Sequence, residues 1–437
     1  MTDVVVRGGA SVREHRLRNG LRVLIAERRH DPVVGVMLFY RVGSRNERAQ
    51  EAGVSHFLEH MMFKGSRSFG KGEVDRLTTE LGGQNNAFTG YDHTAYWFEL
   101  ASDRWERALD IEADRMHRLD IDEAEFDAER AVVLEELAMG EDEPWRVLER
   151  VVEESLFPRH PYGRPIIGYA DTLQRMTAED MRSYYRRFYH PGNATLVICG
   201  DVSSSAALRA ARKRFASIPA GPAFEDVDPP RPPLGEPLGE RRIRMSWDDG
   251  GRRLCMAWPT AAVGTHEDYV LDVVHTVLSS GRLARLHRNL VLDKGLAVMI
   301  SSSNDTRVDT GVFWITAECA QGTAMEELEA AIDAEFARLA DVPLTAAELK
   351  RARALMVSSE AYESEAVSDV AEHLGEYAVD ADWRMALDGC ERQLKVTSRQ
   401  VREVVQRLLV PQRRVVGWCT PEGVQGAERP RGEAARS

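Results

Sequence analysis

Two histidines and a glutamate, His56, Glu59 and His60, form an H-x-x-E-H segment in this chain. On a helix, positions i, i+3 and i+4 share one face, so both imidazoles can reach one metal ion with the carboxylate beside them. Neutral nitrogen ligands and a carboxylate that accepts a proton from water are what a hydrolytic zinc site requires. Ser55 is expected to cap this helix. The alternative is a pair of histidines on a helix surface without a metal.

A catalytic zinc ion usually has three protein ligands, so the chain must supply one more. Residues 126–139 carry apolar residues at helical spacing and are predicted to form a helix. Glu129 and Glu136 are seven positions apart and share nearly one face of it, whereas Glu135 is turned by about 100° from Glu136. The residues alone do not decide between a metal ligand and solvated surface carboxylates.

The chain resembles the zinc peptidases that include pitrilysin, insulin-degrading enzyme and the mitochondrial processing peptidase. The resemblance is carried by the H-x-x-E-H segment and by E-R-A-V-V-L-E-E at 129–136. Weaker family motifs lie at residues 18–23, 40–47, 82–89, 160–165 and 200–202. The resemblance implies a Zn²⁺ cofactor with His56, His60 and Glu136 as its ligands. It also implies Glu59 as the general base and groups Glu129 with the catalytic residues, as a carboxylate that orients a ligand; Glu135 is the alternative ligand.

The resemblance further implies an α+β fold of two similar α/β sandwich domains, which form half of a clam-shell chamber. We expect a zinc-bearing domain at 12–218, a Pro-rich linker at 219–240, a second α+β domain at 241–425 and a disordered tail at 426–437. The linker prediction rests on its prolines, which cannot continue a helix or a central strand. Strands are predicted at 33–40, 194–199, 254–258 and 311–316, helices at 104–119 and 178–188, and a capping box at Thr345.

Residues 84–89 and 94–98 are predicted to form a hairpin. In the family, the strand with the N-A-x-T residues is an edge strand that receives the peptide substrate as an added β-strand. The resemblance therefore implies Asn86, Ala87 and Phe88 as substrate contacts, with a plain hairpin as the alternative. His93, in the turn, is not assigned as a ligand because a lone loop histidine is more often solvated.

The second half of the chain departs from the family pattern. Active members often carry an arginine and, seven positions on, a tyrosine that contact the substrate. The matching positions here are Val291 and Val298, which cannot donate a hydrogen bond, and Arg285 and Arg288 are out of register. The resemblance thus implies the zinc-bearing subunit of a heterodimer whose homologous partner supplies this pair, with a homodimer as the alternative. A non-catalytic structural subunit and a peptidase for one particular peptide are the other interpretations.

Composition limits the remaining possibilities. With 437 residues, 43% of them hydrophobic, and a net charge of −13, the chain is an ordinary soluble protein without the basic stripe of a nucleic-acid-binding protein. The five scattered cysteines, without C-x-x-C, predict reduced thiols. No apolar run is long enough for a membrane span or a signal peptide. We therefore expect a cytoplasmic protein, or a periplasmic one if a signal peptide precedes this sequence.

Overall fold

A computed structural model of the protein describes residues 4–5, 11–223 and 239–422. These residues form two domains, each built on a β-sheet that is packed against helices, so the predicted α+β class is confirmed. Most of the predicted linker and all of the predicted tail lie outside the described residues.

The sheet of the first domain has seven strands. They are β1 (Val4–Val5), β2 (Ser11–Arg16), β3 (Arg22–Glu27), β4 (Val33–Tyr40), β5 (Gln84–Thr89), β6 (Thr94–Ala101) and β7 (Ala194–Gly200). Their spatial order is β1-β2-β3-β7-β4-β6-β5, with only β3 and β7 parallel among the described pairs, so β5 is an edge strand. The helices of this half are α1 (Val54–Met61), α2 (Glu73–Glu80), α3 (Glu106–Arg118), α4 (Glu123–Glu141), α5 (Pro144–Leu156), α6 (Ala170–Arg175), α7 (Ala178–Phe188) and α8 (Ser204–Phe215).

The sheet of the second domain has five strands. They are β8 (Arg241–Trp247), β9 (Arg253–Pro259), β10 (Ala297–Asp305), β11 (Val312–Cys319) and β12 (Val415–Pro421), in the spatial order β10-β11-β9-β12-β8. The helices are α9 (His266–Ser279), α10 (Met325–Asp341), α11 (Ala346–Glu363), α12 (Val367–Asp380), α13 (Met385–Leu394) and α14 (Ser398–Leu408), and a π-helical segment spans His287–Asp293. Again one edge strand, β10, belongs to a hairpin.

Each domain contributes one helix that packs on the sheet of the other domain. Helix α12 packs on the first sheet, where a Cβ on Gly375 would overlap the ring of Phe39 on β4. Helix α5 packs on the second sheet, where a Cβ on Gly417 of β12 would overlap Val152. Both close approaches therefore require glycine. The opposite face of each sheet is covered by helices of its own domain, so that both faces of both sheets are buried. This accounts for the almost continuous burial of β4.

The predicted elements agree closely with the structure. The strand at 33–40 and the helix at 178–188 are reproduced residue for residue as β4 and α7, and 84–89 as β5. The other predicted elements differ from the observed ones by up to three residues at an end. The capping box at Thr345 is confirmed, because its side chain bonds the backbone N–H of Glu348 while the Glu348 carboxylate bonds back.

Among the described residues all five cysteines are thiols outside any disulfide bond, and four of them are buried. In the part of the chain that the structure describes, none of the helices combines the length and the apolar composition that crossing a membrane requires.

Candidate metal centre

Helix α1 separates its apolar residues from the residues of the H-x-x-E-H segment. Phe57, Leu58 and Met61 are fully buried in the core of the first domain, and Phe57 stacks on Phe126 of α4 with ring centroids 4.7 Å apart. The opposite side carries the two histidines, whose ring centroids are 4.8 Å apart. Packing of the apolar side thus directs both imidazoles away from the core and towards α4.

The start of α1 is fixed by a buried carboxylate. Glu47, only 4% exposed, accepts hydrogen bonds from the backbone N–H groups of Gly53 (2.9 Å) and Ser55 (2.8 Å). The prediction that Ser55 caps the helix is wrong: Gly53 is the N-cap, and Ser55 lies in the first turn with Oγ 2.8 Å from the Tyr184 hydroxyl. The two carboxyl oxygens satisfy two N–H groups at the start of the helix, while burial raises the pKa of Glu47 to about 7.

The third candidate ligand comes from α4. Glu136 Oε1 lies 3.7 Å from His56 Nε2, and Glu136 Oε2 lies 3.5 Å from His60 Nε2. One ligand atom from each of these three residues lies within 4.8 Å of the others, and no other such group of three is found among the described residues. Glu135, the alternative, is exposed and is not part of the group.

The donor set fits Zn²⁺. Four ligands at tetrahedral positions around zinc stand about 3.4 Å apart, close to the separations between Glu136 and the two imidazoles. Burial is the main cause that lowers the pKa of His56 to about 4, against the opposing charge of Glu136, so this imidazole is neutral at pH 7. Two imidazoles and one carboxylate would hold the ion and leave a fourth position open.

Glu129 contacts the ring nitrogen of His60 that is turned away from Glu136. Its Oε1 is 2.9 Å from His60 Nδ1, and its Oε2 is 2.5 Å from Lys64 Nζ. Burial raises the pKa of Glu129, but the hydrogen bonds and charges of Lys64 and His60 outweigh it and lower the pKa below the ordinary value. The ionised carboxylate therefore accepts a hydrogen bond from His60 Nδ1–H, which leaves Nε2 without a proton and able to bind a metal.

Glu59 lies next to the end of the edge strand. Its Oε2 accepts a hydrogen bond of 2.5 Å from Thr89 Oγ1, at the last residue of β5. Burial raises its pKa, and the hydrogen bond from Thr89 and the charge of His60 reduce this shift. A carboxylate whose pKa is raised towards neutrality is suited to accept and return a proton.

A cavity of about 450 Å³ opens on the candidate ligands. Its walls come from α4, α5, the end of the β5–β6 hairpin and the segment before α6. They include His56, Thr89, Tyr91, Glu136, Leu137, Arg146, Glu149, Glu153, Ile166 and Ile167. Apolar and charged side chains thus lie together next to the candidate ligands.

The residues predicted to contact the substrate lie along β5, but they differ in exposure. The Asn86 side chain is exposed, whereas Ala87 and Phe88 are half-buried, and Phe88 packs edge-on against Phe39. The expectation that His93 is solvated is wrong. It is buried, and its Nδ1 lies 3.0 Å from an Asp380 carboxylate oxygen at the end of α12.

The two valines of the second half lie at the edge hairpin of that domain. Val291 packs partly on the second core from the π-helical segment, and Val298 is 60% exposed on β10. Arg285 forms a buried ion pair with Glu348 at 2.7 Å, and Arg288 is exposed beside Asp293. None of these residues lines the cavity at the candidate ligands.

Reasoning from sequence missed three residues of the site. Glu47 and Thr89 end the motifs at 40–47 and 82–89, and the sequence alone assigns no role to either residue. Lys64 follows His60 by four positions and therefore shares its face, a signal that could have suggested a charged neighbour.

The fold and the site together define a two-domain α+β protein with an inverted zinc motif, H-x-x-E-H. A family model described as "Insulinase (Peptidase family M16)" matches residues 22–170, and one described as "Peptidase M16 inactive domain" matches residues 175–356. The chain belongs to peptidase family M16. The candidate ligands all lie in the first matched range.

Individual relatives agree with this assignment. A Mycobacterium leprae protein named as an uncharacterized zinc protease is 31% identical over 351 residues, covering 79% of this chain and 77% of the relative. Proteins from Helicobacter pylori and Bacillus subtilis are also named as zinc proteases.

Solved structures show the same architecture. A protease from Helicobacter pylori superposes with a TM-score of 0.90 at 26% identity, covering 94% of this chain and 100% of that one. The periplasmic protease PqqL from Escherichia coli, at 20% identity and a TM-score of 0.77, shows the fold alone. This chain covers 48% of its length.

Proposed function

We propose that the chain is a zinc-dependent endopeptidase that hydrolyses extended or unfolded peptides. One observation carries the proposal: His56, His60 and Glu136 bring ligand atoms within 4.8 Å of one another, beside the half-buried Glu59. The names of the M16 relatives support it. Zinc, when bound to these ligands, supplies a Lewis acid that polarises a carbonyl and lowers the pKa of a coordinated water.

One side chain of this protein would then transfer a proton in two successive steps. Glu59 accepts a proton from the attacking water and returns it to the leaving amine. The hydrogen bond from Thr89 holds this carboxylate in one orientation. Glu129 keeps the proton of His60 on Nδ1, so that Nε2 stays directed to the site.

The substrate would be bound as a β-strand beside β5. Among the described strands β5 pairs with β6 alone, and its last residue contacts Glu59. Pairing through the backbone gives affinity with little demand on sequence. Gln84 and Asn86 are the exposed residues on this strand, and the cavity at the ligands would receive a substrate side chain.

We also propose that the chain works with a homologous second subunit, and that the two enclose the substrate in a chamber. The support is chemical: Val291 and Val298 stand where active relatives carry hydrogen-bond donors, and a valine cannot stabilise a reacting carbonyl. A protein of the same fold, PqqL, is about twice as long as this chain. A heterodimer fits better than a homodimer, since a second copy would carry the same valines.

The test is hydrolysis of a mixed peptide library by the purified, zinc-loaded chain. Glu59→Gln is expected to keep one zinc and to lose turnover by about 10²- to 10⁴-fold, because only the proton acceptor is removed. His56→Ala is expected to lose both zinc and turnover, and His30→Ala, at a histidine that is 86% exposed, is the control that loses neither.

The outcomes separate the parts of this proposal. Undiminished turnover in Glu59→Gln would overturn the base assignment. Zinc binding without hydrolysis by the chain alone, followed by hydrolysis when a homologous chain with the missing arginine and tyrosine is added, would establish the heterodimer. Zinc binding with no hydrolysis in either case would contradict the peptidase and favour a structural subunit.

A further inference from the structure

The turn of the β5–β6 hairpin is bonded directly to the second domain. Asp92 accepts a hydrogen bond of 3.1 Å from the backbone N–H of Val308, in the loop between β10 and β11. The Asp309 N–H donates to the Tyr162 hydroxyl (3.1 Å), which itself donates to Asp92 (2.8 Å). The edge hairpin that ends at the candidate metal centre is therefore anchored by the corresponding hairpin of the other domain.

Arg307, from the same loop, reaches further into the first domain. It is only 3% exposed, and its Nη2 lies 2.6 Å from Glu153 Oε1 and 2.5 Å from Asp305 Oδ2. Its guanidinium carbon lies 4.0 Å from the ring centroid of Tyr91, and the Tyr91 hydroxyl donates a 2.5 Å hydrogen bond to Glu153. One guanidinium thus joins a tyrosine and a glutamate of the first domain.

Both of these partners are walls of the metal-site cavity. Tyr91 and Glu153 line it together with His56 and Glu136, whereas Arg307 lies behind the wall and does not line it. Tyr91 is also two residues after Thr89, whose hydroxyl holds Glu59. A displacement of the hairpin turn would therefore move one wall of the cavity and the support of the base together.

We propose that Arg307 is a positioning residue for the metal site, supplied by the second domain of the same chain. It fixes Tyr91 and Glu153 against each other and thereby sets the wall of the cavity and the end of strand β5. This inference rests on the proposed function for its catalytic consequence, and on the contacts alone for its structural part.

A positioning role explains why this place holds a charge. Buried ion pairs add little net stability compared with apolar packing of the same volume, so stability alone does not call for an arginine here. The planar guanidinium gives what an apolar side chain lacks, because it binds a carboxylate in a defined direction while its face covers an aromatic ring. Arg307 therefore fixes the orientation of Tyr91 and Glu153.

The experiment compares two buried arginines of the second domain. Arg307→Met removes the charge at similar length, and Arg307→Lys keeps the charge without the planar group. The control is Arg285→Met, since Arg285 is 7% exposed and pairs with Glu348 inside the second domain, away from the cavity. Tyr91→Phe removes only one hydroxyl and is the milder variant should Arg307→Met not fold.

Three quantities are measured: zinc affinity by chelator competition, kcat and KM on a quenched peptide, and hydrogen exchange of residues 84–93 and 54–61. Arg307→Met is expected to lower kcat/KM by about 10- to 100-fold, the scale of a misplacement near 1 Å, with zinc affinity unchanged within about twofold. Exchange should become faster at 84–93 and stay unchanged at 54–61. Arg307→Lys should lie in between, Tyr91→Phe should change kcat/KM in the same direction, and Arg285→Met should keep kcat/KM within about twofold.

Several results would overturn the positioning role. Equal losses of kcat/KM in Arg307→Met and Arg285→Met would mean that any buried arginine has this effect. A loss of zinc affinity as large as the loss of turnover would also contradict the positioning role. So would unchanged hydrogen exchange at residues 84–93. If the unmutated chain hydrolyses no peptide, the proposed function fails, and the exchange data still decide whether Arg307 fixes the hairpin.

Discussion

The two domains use the same plan for different purposes. In each, a central strand is followed by a helix and then by an edge hairpin: β4, α1 and β5–β6 in the first domain, and β9, α9 and β10–β11 in the second. The hairpin turns meet at the domain boundary. Yet the group of His56, His60 and Glu136 lies entirely in the first domain. The plan of the fold therefore does not determine the chemistry.

The two corresponding helices show what the chemistry requires. Nine of the 14 residues of α9 are buried, and its His275 is held by Ser302 at 3.1 Å. Helix α1 is shorter, with five of its eight residues buried, and its remaining side carries His56, Glu59 and His60, of which His56 lines the cavity. The two helices are therefore buried to a similar extent, and they differ in the side chains that they carry outside the core.

Neither domain closes its core alone. Helix α12 covers the first sheet and α5 covers the second, with Gly375 and Gly417 at the closest approaches. Without the other half, each sheet would expose an apolar face. The domain that lacks the candidate ligands thus supports the domain that has them, and the following predictions test this division of roles.

The largest effect is expected from removal of the carboxylate ligand. Glu136→Gln should weaken zinc binding by more than the roughly 100-fold that loss of a supporting hydrogen bond costs, because a neutral amide replaces the anionic ligand of a divalent cation. Glu135→Gln, at the adjacent exposed residue of the same helix, is the matched control and should bind zinc like the unmutated chain. Zinc titration against a competing chelator measures both.

The reverse result would contradict the assignment of Glu136 as a zinc ligand. Strong zinc binding by Glu136→Gln together with loss in Glu135→Gln would show that the register of α4 is wrong by one residue. Loss in neither variant would place the ion elsewhere in the molecule.

The parts of the site within one helix could be predicted from sequence. The spacing of His56, Glu59 and His60 places them on one face whatever the tertiary structure, and the periodicity of 126–139 gave the helix of Glu136. The choice of Glu136 over Glu135 needed the family resemblance, since the rotation of a helix about its axis depends on what it packs against.

Contacts between distant segments could not be predicted. The bond between Glu47 and the start of α1 depends on a loop conformation, and that between Arg307 and Tyr91 on the docking of two domains. His93 shows the same limit. Its sequence context is that of an exposed turn, and only the arrival of Asp380 from the second half of the chain buries and pairs it. Local patterns carry no information on such neighbours.

An intermediate effect on zinc binding is expected when Glu129, which is hydrogen-bonded to His60, is substituted. Glu129→Gln should weaken zinc binding by about 10- to 100-fold, because the amide holds the His60 ring less firmly and no longer carries the charge that Lys64 and His60 stabilise. Glu125→Gln, one turn earlier on α4, removes a more exposed ion pair with Lys71 and should change zinc affinity by no more than about twofold. Equal affinities of the two variants would show that Glu129 has no role in metal binding.

The smallest effect concerns the joint between the domains and its dependence on pH. Burial lowers the pKa of His93, but Asp380 and Glu376 outweigh it and raise the pKa to about 9. Because this folded value lies above the ordinary value of 6.5, the charged pair stabilises the fold fully below pH 6.5 and the stabilisation is lost as the pH rises through about 9. Between about pH 7.5 and 9.5, the free energy of unfolding should fall by about 1–2 kcal/mol through this group.

Denaturant unfolding of the unmutated chain and of His93→Gln over this range measures the contribution. The range starts above the pKa of Glu376, which burial raises to about 7, so that titration of Glu376 adds little. His93→Gln should be less stable at the lower pH and should lose most of the slope, whereas His30→Gln, at an exposed histidine, should retain it. Parallel curves for the unmutated chain and His93→Gln would mean that His93 is neutral in the fold. The second domain would then be joined to the edge hairpin by the bonds at Asp92 and Arg307, without help from this charge.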